Sequence, residues 1–169
     1  GMDNSVVIGR EAALVVQDAQ NVVGIGYQAL YSLTTGDSNI AIGKDAGRAI
    51  TTGEQNTIIG DEAGEGLIGG GYNVAIGSDA FKAATSANYN VAIGKNAMNT
   101  GVVTSSHNIG IGYQANKDVA GGSGYNIAIG GYAGQSITTS AHNIFIGREA
   151  GSGSNGVYHV IGIGYQAAK

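Results

Sequence analysis

The chain has 169 residues, of which 31 are glycine and only 12% are charged, and its formal net charge is −4. The absence of cysteine excludes a disulfide scaffold and a thiolate metal site, and the weak negative charge gives no reason to expect a nucleic-acid partner. No apolar run approaches the roughly 20 residues that span a bilayer. We interpret residues 1–169 as a single repeat array cut from a longer one, with Gly1 and Met2 as a tag remnant.

An Ile-Gly pair followed by an alanine recurs ten times along the whole chain, at steps of 17 or 18 residues. When the isoleucine is counted as position 0, glycine occupies position +1 and alanine position +4 in every copy, as in Gly43, Ala46, Gly77 and Ala80. Such periodicity is typical of repeat architectures. The predicted structural core of the repeat includes the ten isoleucines Ile8, Ile25, Ile42, Ile59, Ile76, Ile93, Ile111, Ile129, Ile146 and Ile163.

Each copy predicts one coil of an all-β solenoid. Positions −3 to 0 are rich in the β-branched residues typical of strands, and the glycine then ends the strand. A second apolar position near +8 predicts a second short strand, and polar or glycine-rich residues predict the turns. About ten coils, stacked about 4.8 Å apart, give a rod roughly 45 to 50 Å long. Position +8 is held by Val16, Leu33, Ile50, Leu67, Val119 and Ile137.

Alternation along the strand predicts that positions −2 and 0 share one face, which we expect to pack inside the coil. Position −1 then faces the other way, yet no copy has a polar residue there, so a partner chain is expected to cover it. In an alternative, flattened solenoid, position −1 packs on its own second strand. The ten residues at −1 are Val7, Gly24, Ala41, Ile58, Ala75, Ala92, Gly110, Ala128, Phe145 and Gly162.

Position −3 is asparagine in seven copies, which predicts a ladder of stacked side chains that hydrogen-bond from coil to coil. We favour this structural role over ligand binding. The predicted ladder consists of Asn39, Asn56, Asn73, Asn90, Asn108, Asn126 and Asn143.

The charged residues also fall in register. All eight basic residues occupy positions +2 and +6, as Lys44 and Arg48 do, and five acidic residues, including Asp45, occupy position +3. We favour the interpretation that this seam is a solvated edge that discourages sideways aggregation. A salt-bridge network between chains, or a strip that faces a ligand, is the alternative.

The unit Asn-[Ile/Val]-Ala-Ile-Gly-x-x-Ala, in copies such as NIAIGKDAG and NVAIGSDAF, resembles the head repeats of trimeric autotransporter adhesins, the YadA-like family. The stretch GYQALYSLTTGDSNIAIGKDAG is also similar to repeats of bacteriophage tail fibres. The resemblance covers all ten copies and implies a left-handed parallel β-roll, an intertwined homotrimer and an adhesive role on a bacterial outer membrane or a virion tail. The adhesin heads have a shorter step, which implies a larger loop between coils here.

Two sets of aromatic or imidazole side chains are candidates for ligand or interface contacts. Tyr27, Tyr113 and Tyr165 occupy position +2, where exposed rings favour recognition but also suit packing against a neighbouring chain. His107, His142 and His159 share position −4 with tyrosines. Because tyrosine replaces histidine in that column, a stacked ladder is a better interpretation than a metal site.

No catalytic residue, cofactor site or metal site is predicted. The stretch Gly24 to Ala29 matches a dinucleotide-binding fingerprint, but that fingerprint requires a strand–turn–helix unit, and here it is a by-product of the repeat. Together with the resemblance to adhesin and tail-fibre repeats, this leads us to expect a non-enzymatic, homotrimeric adhesin or tail-fibre segment that binds a host-surface glycan or protein through repeated contacts. Membrane contact is expected only through other parts of the full protein. The alternatives are a hexapeptide-type acyltransferase and an ice-binding solenoid that presents Thr34, Thr51 and similar residues.

Overall fold

The computed structural model describes residues 2–100, 104–120, 122 and 124–169, so Gly1 of the predicted tag remnant lies outside the described residues. Ten three-residue strands form one parallel sheet in sequential order, and each strand residue pairs with its counterpart one coil later. The chain is therefore an all-β solenoid, as predicted. Its strands are β1 (Val6–Ile8), β2 (Val23–Ile25), β3 (Ile40–Ile42), β4 (Thr57–Ile59), β5 (Val74–Ile76), β6 (Val91–Ile93), β7 (Ile109–Ile111), β8 (Ile127–Ile129), β9 (Ile144–Ile146) and β10 (Ile161–Ile163).

Left-handed backbone conformations at both ends keep the strands short. Position −4 has a positive φ in every coil, as in Tyr72 at 61° and His107 at 64°, and the glycine at +1 has one too, as in Gly43 at 138°. Extended strands have negative φ values, so the strand cannot continue past either position. Of the four residues between these two limits, the last three, positions −2 to 0, form the strand.

The glycine at +1 is also required by close axial approach. A Cβ atom on Gly43 would lie 2.3 Å from the carbonyl oxygen of Gly60 in the next coil, which no side chain tolerates. Stacking of the coils therefore depends on a column of glycines at this corner.

The predicted second strand is wrong, because the structure has one strand per coil within its described residues. Positions +3 and +5 have positive φ in every coil, as in Asp45 at 54° and Leu30 at 53°, so the segment that leads to position +8 consists of turns, and bends follow it. The chain returns through tight turns that still hydrogen-bond to the next coil, as from the Leu30 amide to the Ala46 carbonyl at 3.0 Å. We call positions +5 to +8 the return segment.

The core lies between the strand and the return segment. Position −1 points inward, and Ala41, Ile58 and Phe145 are fully buried there. Position +5 meets it from the other side, since a Cβ on Gly151 would lie 2.3 Å from the Phe145 ring. The alanines at +4, including Ala46 and Ala80, and the aliphatic residues at +8 complete the core.

The prediction that the isoleucine column and position −2 fill the core is therefore wrong, and so is the prediction that a partner chain covers position −1. Position −1 packs within its own coil, as the flattened-solenoid alternative expected, but against a return segment rather than a strand. Because neighbouring strand residues point to opposite faces, burial of −1 turns positions −2 and 0 outward. Ile8 and Ile163 are 59% and 67% exposed.

We predict that Gly43→Ala lowers the free energy of unfolding by about 3 kcal/mol or more, because its Cβ collides with backbone and its φ disfavours any side chain. Urea unfolding monitored by circular dichroism measures the loss. Gly131→Ala, at the neighbouring corner position, is the matched control, since a Cβ there would have no atom within 4 Å. Equal losses for the two variants would contradict the proposed role of the glycine column.

Candidate functional site

The outward side chains of the ten strands form a continuous apolar strip, which we call the outer strand face. It contains the ten isoleucines at position 0 and, at position −2, nine Val or Ile residues and Thr57. Exposure ranges from half-buried in the middle of the array to 68% at Ile161. Monomeric proteins rarely expose contiguous apolar patches of this kind, so the strip is a candidate interface.

The asparagines at position −3 are buried and form a continuous hydrogen-bonded ladder. In Asn73, the backbone amide and the side-chain Nδ2 both donate to Asn56 Oδ1 at 3.0 Å, and Nδ2 also donates to the Ala87 carbonyl at 2.8 Å. Asn73 Oδ1 in turn accepts from the amide and Nδ2 of Asn90. The donor and acceptor groups of each ladder side chain bond to neighbouring coils. The ladder therefore supports the coil stack and leaves no group for a ligand.

The rings at position −4 stack in one column. Tyr72, Tyr89, His107, Tyr125, His142 and His159 have successive ring centroids 4.8 to 5.2 Å apart and interplanar angles of 4° to 20°. Parallel imidazoles point their nitrogens side by side rather than toward one point, which does not suit a metal ion that needs convergent ligands near 2.0 Å. The described residues contain no group of three or more potential metal-ligating His, Cys, Asp or Glu side chains.

The three candidate tyrosines at position +2 differ in their surroundings. The Arg10 guanidinium lies over the half-buried Tyr27 ring, 4.5 Å from its centroid. Tyr113 packs edge-on against Tyr132, with ring centroids 5.2 Å apart, and is 44% exposed. Tyr165 is 67% exposed. The structure therefore does not bring the three rings together into one site.

The charged seam pairs within the chain. Lys44 Nζ lies 2.7 Å from Asp45 and 3.1 Å from Glu62 of the next coil, and Lys82 contacts Glu62 from the following coil and lies 3.1 Å from Asp79. Hydrogen bonds from Lys82 and then from Lys44 lower the pKa of the Glu62 carboxyl below its ordinary value of 4.5. The hydrogen bond to Glu62 likewise raises the pKa of Lys82. This pairing supports the interpretation of a solvated edge.

A groove lies on the return segment, on the side of the coil opposite the outer strand face. Its volume is about 610 Å³, and it spans four coils. Position +7 supplies the small residues Ala49, Gly66 and Ala83, and position +6 supplies the longer side chains Arg48, Glu65, Lys82 and Asn99, with Thr100 at one end. The sequence analysis noted the charges at +6 but missed the groove, although the run of small residues at +7 was a visible signal.

Comparison of the chain with known protein families, curated proteins and solved structures found no match. In the described residues, no helix is long and apolar enough to cross a membrane. The stretch Gly24 to Ala29, which matches the dinucleotide fingerprint, runs from a strand into a turn and is not followed by a helix. Its context therefore differs from the one in which that fingerprint binds a cofactor.

We predict that Asn73→Asp destabilises the array by about 3 kcal/mol or more at pH 7, because a buried carboxylate replaces the Nδ2 donor and faces Asn56 Oδ1. Protonation restores a donor, so the penalty should shrink toward pH 3. Urea unfolding at both pH values measures it. Asn155→Asp is the control: Asn155 is exposed and its Oδ1 only accepts hydrogen bonds, so little change is expected.

We also predict that Glu62 contributes to the loss of thermal stability at acid pH. Its pKa is lowered in the folded chain, so its ion pairs stabilise the fold above the ordinary value of 4.5, and this contribution disappears as the pH falls through the lowered pKa. Thermal unfolding from pH 6 to pH 3 should show a smaller acid-induced fall of Tm for Glu62→Gln than for the wild type. Asp3→Asn, at an exposed carboxylate in the first coil, should keep the wild-type response. A wild-type acid response in Glu62→Gln would refute this assignment.

Proposed function

We propose that this chain is a fibre segment in which three copies associate through their outer strand faces and present an adhesive surface. The observation that carries the proposal is the strip of nineteen Val or Ile side chains and one threonine along one side of the rod. Burial of apolar surface at about 25 cal/mol per Å² favours the association of such strips. An array that left this strip in water would be prone to uncontrolled aggregation.

The shape of the strip supports a threefold arrangement. It is two side chains wide and, at about 4.8 Å per coil, about 43 Å long. A strip this narrow is small beside the roughly 800 Å² that each partner contributes to a standard two-chain interface. Around a threefold axis, each strip meets two neighbours and is covered from both sides. The resemblance to trimeric adhesin heads favours the same number.

An adhesive role fits the other side of the rod. When the outer strand faces meet on the axis, the return segments with their charged seam point outward along the whole length. A repeated surface of this kind can sum weak contacts through avidity. We infer a host-surface glycan or protein as the partner, a location on a bacterial surface or virion tail, and a mechanical rather than catalytic role.

The two alternatives receive less support from the described coils. A hexapeptide-type coil consists of three equivalent segments, whereas each coil here has one strand and one return segment. The ice-binding alternative relied on threonine hydroxyls, but Thr34 Oγ1 donates to the Thr51 carbonyl at 2.9 Å and Thr51 Oγ1 to the Ile68 carbonyl at 3.3 Å. Those hydroxyls serve the coil stack.

We predict that Ile76→Lys converts the trimer into monomers, because a charge in the middle of the outer strand face would be buried between chains. Light scattering after size exclusion should give 50.7 kDa, three times 16.9 kDa, for the wild type and 16.9 kDa for the variant. Ile68→Lys is the matched control, since Ile68 is also exposed, at 49%, but lies at position +9, away from the strand.

A wild-type mass of 16.9 kDa would overturn the trimer and leave the outer strand face without its proposed occupant. Dissociation by both lysine variants would show that added charge alone disrupts the assembly, which would contradict the assignment of the interface to the strand.

A further inference from the structure

We propose that the groove on the return segment binds an unbranched, neutral polysaccharide that lies along the axis of the rod. This inference rests on the proposed adhesive function, for which it names a ligand class and a location. The groove stays accessible when chains associate through their outer strand faces. The strand and the return segment enclose the core from opposite sides, so the groove lies on the side away from that association.

The form of the groove suits a chain-like ligand. Ala49, Gly66 and Ala83 follow one another in three successive coils and make its shallow floor, and the groove continues to Thr100 in the fourth. Since the coils repeat every 4.8 Å or so, an extended polymer on the axis contacts one small floor residue at each step. The four coils extend over about 14 Å along the axis, so an elongated ligand can contact all of them.

The groove also has the mixed chemistry that a sugar requires. The methyl groups of Ala49 and Ala83 offer an apolar floor for the C–H faces of sugar rings. Along the rim, Arg48 and Lys82 are donors and Glu65 is an acceptor, and Asn99 has both functions. Donors and acceptors therefore alternate from coil to coil, and a hydroxyl group can serve as partner to either kind.

The charges favour a neutral ligand over a polyanion. The cations of the rim are already paired: Arg48 lies 3.7 Å from Glu65, and Lys82 lies 3.6 Å from Glu65 and contacts Glu62. Asp79 also contacts Lys82, Asp45 lies 3.8 Å from Arg48, and Lys44 pairs with Asp45 and Glu62, so four carboxylates surround three cations. A polyanion would meet net repulsion here.

The ring column at position −4 is a weaker candidate for a sugar site. Sugars stack on the faces of aromatic rings, but the faces of Tyr89, His107 and Tyr125 are covered by their neighbours at 4.8 to 5.1 Å. Only ring edges point to solvent in the middle of that column. The groove on the return segment has no such obstruction.

The first test is calorimetric titration of the full chain with cellohexaose, a linear neutral hexamer, and with maltohexaose, whose chain is curled. We expect cellohexaose to bind more tightly than maltohexaose. Ala83→Trp fills the groove floor and should weaken cellohexaose binding at least tenfold. Val15→Trp is the matched control: Val15 occupies position +7 in the first coil, outside the groove, and the variant should bind as the wild type does.

A second pair of variants tests the rim. Glu65 and Glu62 both form ion pairs with Lys82, but only Glu65 lines the groove. Glu65→Gln removes a charged acceptor and should weaken cellohexaose binding about tenfold, whereas Glu62→Gln should leave it unchanged. Equal losses in the two variants would point to the ion-pair network rather than to contact with the sugar, and would overturn the proposal.

Three further outcomes would also overturn it. They are no cellohexaose binding by the wild type up to millimolar concentration, equal losses in Ala83→Trp and Val15→Trp, and tighter binding of an oligogalacturonate hexamer than of cellohexaose. Light scattering on the same samples separates the two proposals. A trimer that binds no sugar refutes only the groove, and a monomer that binds cellohexaose in an Ala83-dependent way refutes only the trimer.

Discussion

Axial hydrogen bonding between coils is the constraint on which the rest of this molecule depends. Each strand residue pairs in parallel with its counterpart one coil on, so each strand side chain lies next to the side chains at the same repeat position in the neighbouring coils. Each repeat position must therefore hold residues whose side chains can lie next to similar side chains at the distance between neighbouring strands. Glycine at +1 permits backbone contact, asparagine at −3 both donates and accepts, and flat rings at −4 stack.

The sequence was sufficient to predict this stacking but not the direction in which the strand faces. The period, the glycine corner and the asparagine ladder all follow from single columns. The assignment of inside and outside failed because both faces of the strand are apolar, so alternation alone does not distinguish them. Large aliphatic residues at −2 and 0 were placed in the core, and the small residues at −1 were placed at an interface. The residues at −1 lie in the core instead, because the space between the strand and the return segment is too narrow for large side chains from both sides.

A comparison of pairs of repeat positions in the sequence nonetheless indicates which face of the strand is buried. Positions −1 and +5 face each other across the core, and a large residue at one accompanies a small residue at the other. Gly24 opposes Leu30, Ile58 opposes Gly64, and Phe145 opposes Gly151, where a Cβ on the glycine would lie 2.3 Å from the ring. Close packing demands such volume compensation. The groove was missed for a similar reason, since its depth comes from position +7 and its polar rim from position +6.

The same constraint separates assembly from recognition in this chain. The glycine column at +1 and the alanine column at +4 are invariant, and position −3 is asparagine in seven coils, because a deviation at these positions disturbs the coils above and below it. The outward positions of the return segment are free of that demand, and position +6 changes from Tyr31 to Arg48, Glu65, Lys82 and Asn99 in successive coils. Substitutions there alter the outer surface while the glycine, alanine and asparagine columns stay intact. A ligand groove can therefore arise on one side of the rod without cost to the core or to the apolar strip on the other side.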